Sequence, residues 1–302
     1  MNTDQITASH DVIGLGERAH GDSPQAEARA DLALRLLGHG ARSIVFESDR
    51  VAAFAVDDYV QGRTDSLDTA MGEGFTHGFG AFAVNRRLVA RLRAWNEGRD
   101  PADRVAFHGM DAPLEFTAAS PRAYLEHVRD YLGRDLDIAA LTGDDETWSR
   151  MEAVTDPAAS PGDTPPARAL RIIADDLHAA LYAAAPERIA STSLTDWHRA
   201  RVNAATAAGL LRYHRQAAQP LPEAHRWSRL SGVRDALMAE HLLDIRALEA
   251  GRGPTVVLAH NVHLQTTESR MEMAGMNLVW AGTGAIIAAL LGPKYAFIAD
   301  ED

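Results

Sequence analysis

The strongest constraint on the fold is the stretch Val12–Gly21, in which an apolar run breaks at glycines before a helix-forming segment. Val12–Gly16 predicts a buried strand, and the residues from about 24 to 37 predict a helix. Ligands bind at the ends of strands in open parallel sheets. We therefore expect Glu17 and His20, which follow the strand, at a ligand-binding edge. The alternative is that they merely cap the helix.

Similar apolar runs recur along the chain, separated by segments with helical patterns. They are Ser43–Glu47, Arg104–Asp111, Thr255–Ala259 and Tyr295–Ala299. Alternation of strands and helices with short connections is the signature of a parallel sheet. The sequence therefore predicts an α/β fold with a mostly parallel central sheet flanked by helices.

The segment from about Ser120 to Gly251 has a different character, being rich in Ala and Leu with charges at helical spacing. It shows no strand pattern, and its place between strands predicts an inserted helical cap over the carboxyl edge of the sheet. We expect a first part of the α/β core at 11–116, the helical cap at 117–251 and a second part of the core at 252–302.

Acids and histidines follow several of the predicted strands. They are Glu17, His20, Glu47, Asp111, His260 and His263, and a glycine-rich loop adds His77 as a weaker candidate. Histidine and carboxylate pairs suit general-base activation of water, because the carboxylate orients the imidazole that takes the proton. The alternative for Glu47 is to cap the N-terminus of the next helix, although Ser48 or Asp49 fits that role better.

Other catalytic chemistries lack their usual residues. The chain has no Cys, and no Ser stands in a Gly-x-Ser-x-Gly turn. The sequence therefore lacks the nucleophiles that most enzymes use to form a covalent acyl intermediate. Histidines and carboxylates also bind divalent metals. Their spacing here does not match a motif such as His-Glu-x-x-His, so we expect neither a metal nor a cofactor.

Charge and hydropathy restrict the partners. The formal net charge of -12 argues against nucleic-acid binding, which needs a basic face. No apolar run approaches the roughly 20 residues of a membrane span. The start of the chain lacks an apolar signal core, so we expect a cytoplasmic protein with a small-molecule substrate and no membrane partner. The oligomeric state stays open.

Five short motifs occur in an order that resembles the erythromycin esterase family. They are Gly16–Gly21, Phe46–Asp49, Phe107–Asp111, Val233–His241 and Ala259–His263. The resemblance implies an α/β core with added helices and an enzyme that hydrolyses the lactone ring of macrolides.

The resemblance also implies roles for single residues. His20 would be the general base, with Glu17 and Glu47 as the acids that orient it. His260 would be a further catalytic residue. From the sequence alone, we expect one of His260 and His263 to be functional and the other structural, and we favour His260 because it is nearer the strand. Expected substrate contacts are Arg29, on the first helix, together with His263, Asp111 and His77.

Several positions depart from the family pattern. Arg18, His108 and His241 stand where a small residue, a Tyr and an Asn are usual, and the loop Met71–Gly80 lacks the expected aromatic pattern. The chain also ends at Asp302, shorter than is usual, so a C-terminal portion is expected to be absent.

We therefore expect an esterase-like hydrolase of a lactone or ester in a bulky natural product. The departures around the site motivate an alternative, a non-hydrolytic biosynthetic enzyme such as a cyclase, lyase or group-transfer catalyst that uses the same acids and bases. A binding protein without catalysis is the third possibility, and a ligand recovered unchanged would favour it.

Overall fold

The computed structural model describes residues 3–300, and it confirms an α/β fold with a parallel central sheet flanked by helices. The strands are β1 Val12–Glu17, β2 Ser43–Asp49, β3 Ala106–Asp111, β4 Thr255–His260, β5 Ser269–Met273, β6 Met276–Trp280 and β7 Tyr295–Ile298. The helices are α1 Thr3–Ser9, α2 Pro24–Gly38, α3 Ala53–Val60, α4 Leu67–Glu73, α5 Ala83–Asn96, α6 Arg122–Leu132, α7 Ile138–Thr142, α8 Glu146–Ser149, α9 Glu152–Thr155, α10 Pro165–Ala183, α11 Ala185–Ser191, α12 Leu194–Ala217, α13 Glu223–Leu248, α14 Asn261–Leu264 and α15 Thr283–Leu291.

The central sheet has five strands in the order β3-β2-β4-β1-β7, and all of its pairings are parallel. Strand β4 lies between β1 and β2, and its His260 is in register with Glu17. Glu17 and Glu47 therefore do not come from adjacent strands, because β4 separates β1 from β2. The exits of β1, β4 and β2 still meet at one edge of the sheet.

Both faces of the sheet are covered by apolar side chains, which explains why its strands are apolar runs rather than alternating patterns. On one face, Ile13 and Leu15 pack with residues of α2, α3 and α5. On the other face, Val12 and Val257 pack with the C-terminal half of α13 and with α15. The sheet is thus the middle layer of three, which fixes the strand exits rigidly.

The chain divides into two compact units. The first comprises Met1–Asp111 and Asp235–Asp302 and holds the central sheet. The second is Ala112–Arg234, whose regular elements are all helices. A separate core of apolar side chains, including Leu125, Trp148 and Leu211, stabilises this second unit. Helix α13 begins in the second unit and continues into the first.

Three elements differ from the sequence expectation. The first described residues form helix α1, which was not expected from the sequence. Helix α4 interrupts the predicted glycine-rich loop. Strands β5 and β6 form an antiparallel hairpin that the sequence did not reveal. Its turn has positive φ at both Ala274 and Gly275, and an alanine there is an unusual turn residue.

Within residues 3–300, no helix combines the length and the apolar character that crossing a bilayer requires.

Candidate active site

The exit of β1 presents Glu17 and His20, and the turn that follows is fixed by the start of α2. Ser23 accepts a hydrogen bond from the Ala26 amide, which caps this helix. Because Ser23 supplies the cap, Glu17 and His20 are not needed for it. Glu17 Oε1 instead lies 2.9 Å from His20 Nδ1, while Glu17 Oε2 accepts from Arg29 Nη2 at 2.6 Å.

The His20 ring is held on several sides but keeps one nitrogen accessible. Its side chain is 31% exposed. Phe79 packs edge-on against it with ring centroids 4.7 Å apart, and the His260 ring lies at 5.6 Å. Because the Nδ1 proton faces the Glu17 carboxylate, the Nε2 atom carries the free lone pair. Nε2 lies 3.9 Å from Glu47 Oε1.

Glu47, at the exit of β2, is buried and engaged through both carboxylate oxygens. Its Oε2 atom accepts from the His260 backbone amide at 2.8 Å. Its Oε1 atom lies 3.2 Å from His263 Nε2. The first contact crosses from β2 to β4, so Glu47 reaches the β1 exit through the strand between them.

His260 is bound to backbone groups through both ring nitrogens. Nδ1 accepts from the Val262 amide at 3.0 Å, which makes His260 the N-cap of the short helix α14. Nε2 lies 2.8 Å from the Arg18 carbonyl and must donate its proton there. Burial lowers the pKa of His260, which agrees with the neutral ring that these contacts require.

His263 lies between two carboxylates. Its Nδ1 atom is 3.0 Å from both oxygens of Asp235, and its Nε2 atom faces Glu47. Burial disfavours the charged ring, but Asp235 and Glu47 outweigh this effect and raise the pKa of His263 to about 10. The imidazolium form is therefore favoured in the folded protein.

Asp235 accepts further hydrogen bonds from the segment around the hairpin. Trp280 Nε1 donates to Oδ2 at 2.6 Å. The Thr283 amide and its Oγ1 both donate to Oδ1 at 2.7 Å. In these contacts the Trp280 ring and the Thr283 amide and hydroxyl donate, so both oxygens of Asp235 act as acceptors.

Arg29 is nearly buried and joins the site through Glu17. Burial lowers the pKa of Arg29, while the Glu17 carboxylate opposes this shift and keeps the guanidinium charged. Within residues 3–300, its Nε and Nη1 atoms have no hydrogen-bond partner. Arg29 therefore places a fixed positive charge, with spare donors, beside the Glu17 and His20 pair.

Asp111 and His77 form a separate pair at the exit of β3. His77 Nε2 lies 3.7 Å from the buried Asp111 Oδ2. His77 has φ of 56°, a left-handed conformation that is uncommon for a residue with a side chain. Its ring lies 6.2 Å from Phe79, which also contacts His20. The loop that carries His77 is thus connected to the site through Phe79.

A cavity of about 280 Å³ opens beside His20, lined by residues of the turn after β1 together with Asp300. It offers space for part of a substrate beside His20. In the described part of the chain, no group of three or more His, Asp or Glu side chains has an arrangement that could hold a metal ion.

Sequence reasoning placed Glu17, His20, Glu47 and His263 at this edge, and the structure brings them together. It missed Phe79, Asp235, Trp280 and Thr283. Asp235 lies in the motif Val233–His241, so its place in that motif was an available signal. Trp280 and Thr283 gave no signal, because their role depends on the hairpin.

Three solved structures share this fold at low sequence identity. A Bacillus cereus protein superposes with a TM-score of 0.68 at 18% identity, covering 98% of this chain and 66% of that protein. A succinoglycan biosynthesis protein gives 0.71 at 15% identity, covering 98% and 67%. An erythromycin esterase mutant in its open conformation gives 0.68 at 18% identity, covering 98% and 71%. The chain thus spans about two thirds of their lengths.

No curated protein sequence matches the chain. A family model described as erythromycin esterase matches residues 38–300. Glu17, His20 and Arg29 precede the matched region. They are tied to it by the structure, in which His20 lies beside Glu47 and His260. Glu47, Asp235, His260 and His263 lie within it. The match covers most of the sequence, and the chain therefore belongs to the erythromycin esterase family.

Proposed function

We propose that this protein is an esterase-like hydrolase that opens a lactone or ester in a bulky natural product. The observation that carries the proposal is the Glu17 and His20 pair beside a cavity that His20 lines. Membership of the erythromycin esterase family supports ester hydrolysis as the reaction class.

In the proposed reaction, His20 Nε2 takes a proton from water, and the hydroxide attacks the carbonyl carbon of the substrate. The tetrahedral intermediate collapses as the His20 imidazolium returns the proton to the departing alkoxide. A carboxylic acid and an alcohol result, and a lactone therefore opens with the gain of one water. Glu17 holds the Nδ1 proton in place and stabilises the imidazolium.

Glu47 is suited to orient the attacking water. His20 Nε2 and Glu47 Oε1 are 3.9 Å apart, so one water molecule can hydrogen-bond to both at about 2.8 Å. Arg29 contacts Glu17 at 2.6 Å and brings positive charge close to the developing oxyanion. His20 is therefore the base, while Glu17, Glu47 and Arg29 set its geometry and electrostatics.

His260 has a supporting role in this proposal. Both of its ring nitrogens bind backbone groups, so no lone pair remains for proton transfer. Its backbone amide binds Glu47, and its ring packs against His20. We therefore assign His260 to the positioning of Glu47 and His20 rather than to the chemistry itself.

The second candidate is a non-hydrolytic biosynthetic enzyme that uses the same proton-transfer pair. One of the structural neighbours is a succinoglycan biosynthesis protein, so the fold also occurs in a biosynthetic protein. Hydrolysis adds the mass of water to the product, whereas cyclisation leaves the mass unchanged. The two candidates are therefore separated by the mass of the product.

The test is mass spectrometry of macrolide lactones and bulky esters after incubation with the wild-type protein and with His20→Ala. A matched control is His39→Ala, which removes a histidine that pairs with Asp4 away from the site. We expect the gain of one water with the wild type and the control, and its absence with His20→Ala. Equal product from His20→Ala and the wild type would refute His20 as the base.

A further inference from the structure

Asp235 has no role in the reaction described above, although it lies in one of the motifs of the chain. It is fully buried on α13, within the first unit. Its carboxylate accepts from the Trp280 ring, from the Thr283 amide and hydroxyl, and from His263. A buried carboxylate with this many donors is held in a single position and stays ionised.

The protons around His263 can be counted from the contacts. Nδ1 faces Asp235, which is an acceptor only, so Nδ1 carries a proton. Nε2 faces Glu47 Oε1 at 3.2 Å, and one proton must lie between these two atoms. Either His263 is an imidazolium beside a Glu47 carboxylate, or His263 is neutral beside a protonated Glu47.

We propose that Asp235 is a positioning residue that keeps this shared proton on His263, so that the imidazolium fixes Glu47 as a carboxylate beside His20. The proposal rests on the proposed function, because the value of an ionised Glu47 is its ability to accept a proton from the attacking water. Asp235 acts through His263 and Glu47 and does not touch the substrate.

The groups that face His263 come from several elements, and their charges decide where the proton lies. Asp235 on α13 and Glu47 on β2 are the two acids in direct contact. His260 precedes α14 and is neutral by its contacts, so it adds no competing positive charge. Two carboxylates around one ring favour the imidazolium, and an ionised Glu47 also accepts from the His260 amide.

The arrangement also gives the hairpin a function. Trp280 is the last residue of β6, and Thr283 begins α15, so the donors to Asp235 come from the end of the hairpin and from the segment that follows it. Ser269, at the start of β5, donates to the Val262 carbonyl at 2.6 Å and ties the hairpin to the segment that carries His263. The hairpin thus anchors the acid that orients this ring.

The experiment measures the protonation state of the His263 ring by two-bond ¹H–¹⁵N NMR of the histidine side chains in the full chain. The ring is assigned with His263→Gln. The test variant is Asp235→Asn, whose amide group would face donors with its own N–H groups. The matched control is Glu240→Gln, which alters an exposed carboxylate on the same helix.

We expect an imidazolium pattern for His263 at neutral pH in the wild type and in Glu240→Gln, and a neutral ring in Asp235→Asn. A neutral His263 ring in the wild type would place the proton on Glu47 and overturn the proposal. An imidazolium retained in Asp235→Asn would overturn it as well.

If Asp235→Asn does not fold, Trp280→Phe and Thr283→Val take its place. Each removes a donor to Asp235 while keeping the charge and most of the side-chain shape. Because loss of a competing donor leaves more of the Asp235 charge facing His263, we expect the ring to lose its proton at a higher pH in both variants than in the wild type. An unchanged titration midpoint in both would contradict the proposal.

Kinetics add a readout that depends on the proposed function. On a hydrolysed substrate, we expect Asp235→Asn to lower kcat by about 10- to 100-fold with KM unchanged, because the ligand site is left intact. If the wild type hydrolyses no ester, the proposed function fails, but the NMR titration still decides the role of Asp235. An unchanged kcat together with a neutral ring would remove the link between Asp235 and catalysis.

Discussion

The site contains two histidine–carboxylate pairs whose surroundings are opposite. His20 is 31% exposed and pairs with Glu17 through Nδ1 alone. His263 is 8% exposed and faces a carboxylate at each nitrogen. The same residue pair therefore yields an available base in one place and a fixed positive charge in the other. Burial and the number of acidic partners, rather than residue type, decide between these roles.

The largest expected effect is the loss of activity in His20→Ala. A positioned base contributes about 10²- to 10⁴-fold, so we expect kcat/KM to fall by about this factor. The free energy of unfolding should change by less than about 1 kcal/mol, because the ring is partly exposed. Kinetics and denaturant unfolding of the same variant measure both quantities. A large loss of stability would show that His20 is a structural residue like His263, and it would contradict the distinction between the two pairs.

The second effect concerns stability at the other pair. His263→Leu leaves Asp235 and Glu47 buried without their shared cation. Removing one partner of a buried ionic group typically costs about 3–5 kcal/mol in the free energy of unfolding. Denaturant unfolding at neutral pH measures the difference from the wild type. A loss as small as that of His20→Ala would show that His263 is not a structural cation.

The third effect is a pH dependence of stability. The pKa of His263 is raised to about 10 in the folded protein, above the usual value of 6.5, so the folded state holds an extra proton between these values. This contribution is complete below pH 6.5, and it is lost as the pH rises through the folded value. The slope is at most about 1.4 kcal/mol per pH unit. We expect urea unfolding of His263→Leu to lack this decline, and an identical decline in both proteins would contradict the assignment.

The smallest effect is expected for His260→Asn. Asparagine is also a good N-cap, so its side-chain oxygen can accept the hydrogen bond from the Val262 amide. The contact with the Arg18 carbonyl is lost. We expect a loss of under about 1 kcal/mol in stability and a fall in kcat of less than about 10-fold, well below that of His20→Ala. A fall in kcat as large as that of His20→Ala would contradict this assignment and indicate that His260 takes part in the reaction.

The position of the first pair was predictable from the sequence, because it depends on local rules. A strand that ends in Glu17, a turn and a capped helix places His20 at the carboxyl edge whatever the rest of the chain does. The parallel sheet likewise follows from apolar runs alternating with helices. Strand order did not follow, since nothing in the sequence indicates that β4 inserts between β1 and β2.

The second pair depended on contacts between residues far apart in the sequence. His263 was expected near the site, but its partner Asp235 lies 28 positions earlier on a helix whose pattern reads as ordinary core. The donor Trp280 ends a hairpin whose turn contains alanine in a left-handed conformation, and Thr283 follows that hairpin. Sequence therefore located this histidine but assigned it to substrate contact and gave the catalytic role to His260.

The most direct test of the account is chemical rescue. His20→Ala and His263→Ala are each assayed for hydrolysis of a lactone in ¹⁸O-labelled water, with and without added imidazole. Because His20 opens to a cavity and His263 is enclosed, we expect imidazole to restore incorporation of ¹⁸O into the product acid with His20→Ala alone. Full activity of His20→Ala without imidazole, or rescue confined to His263→Ala, would contradict the assignment of His20 as the base.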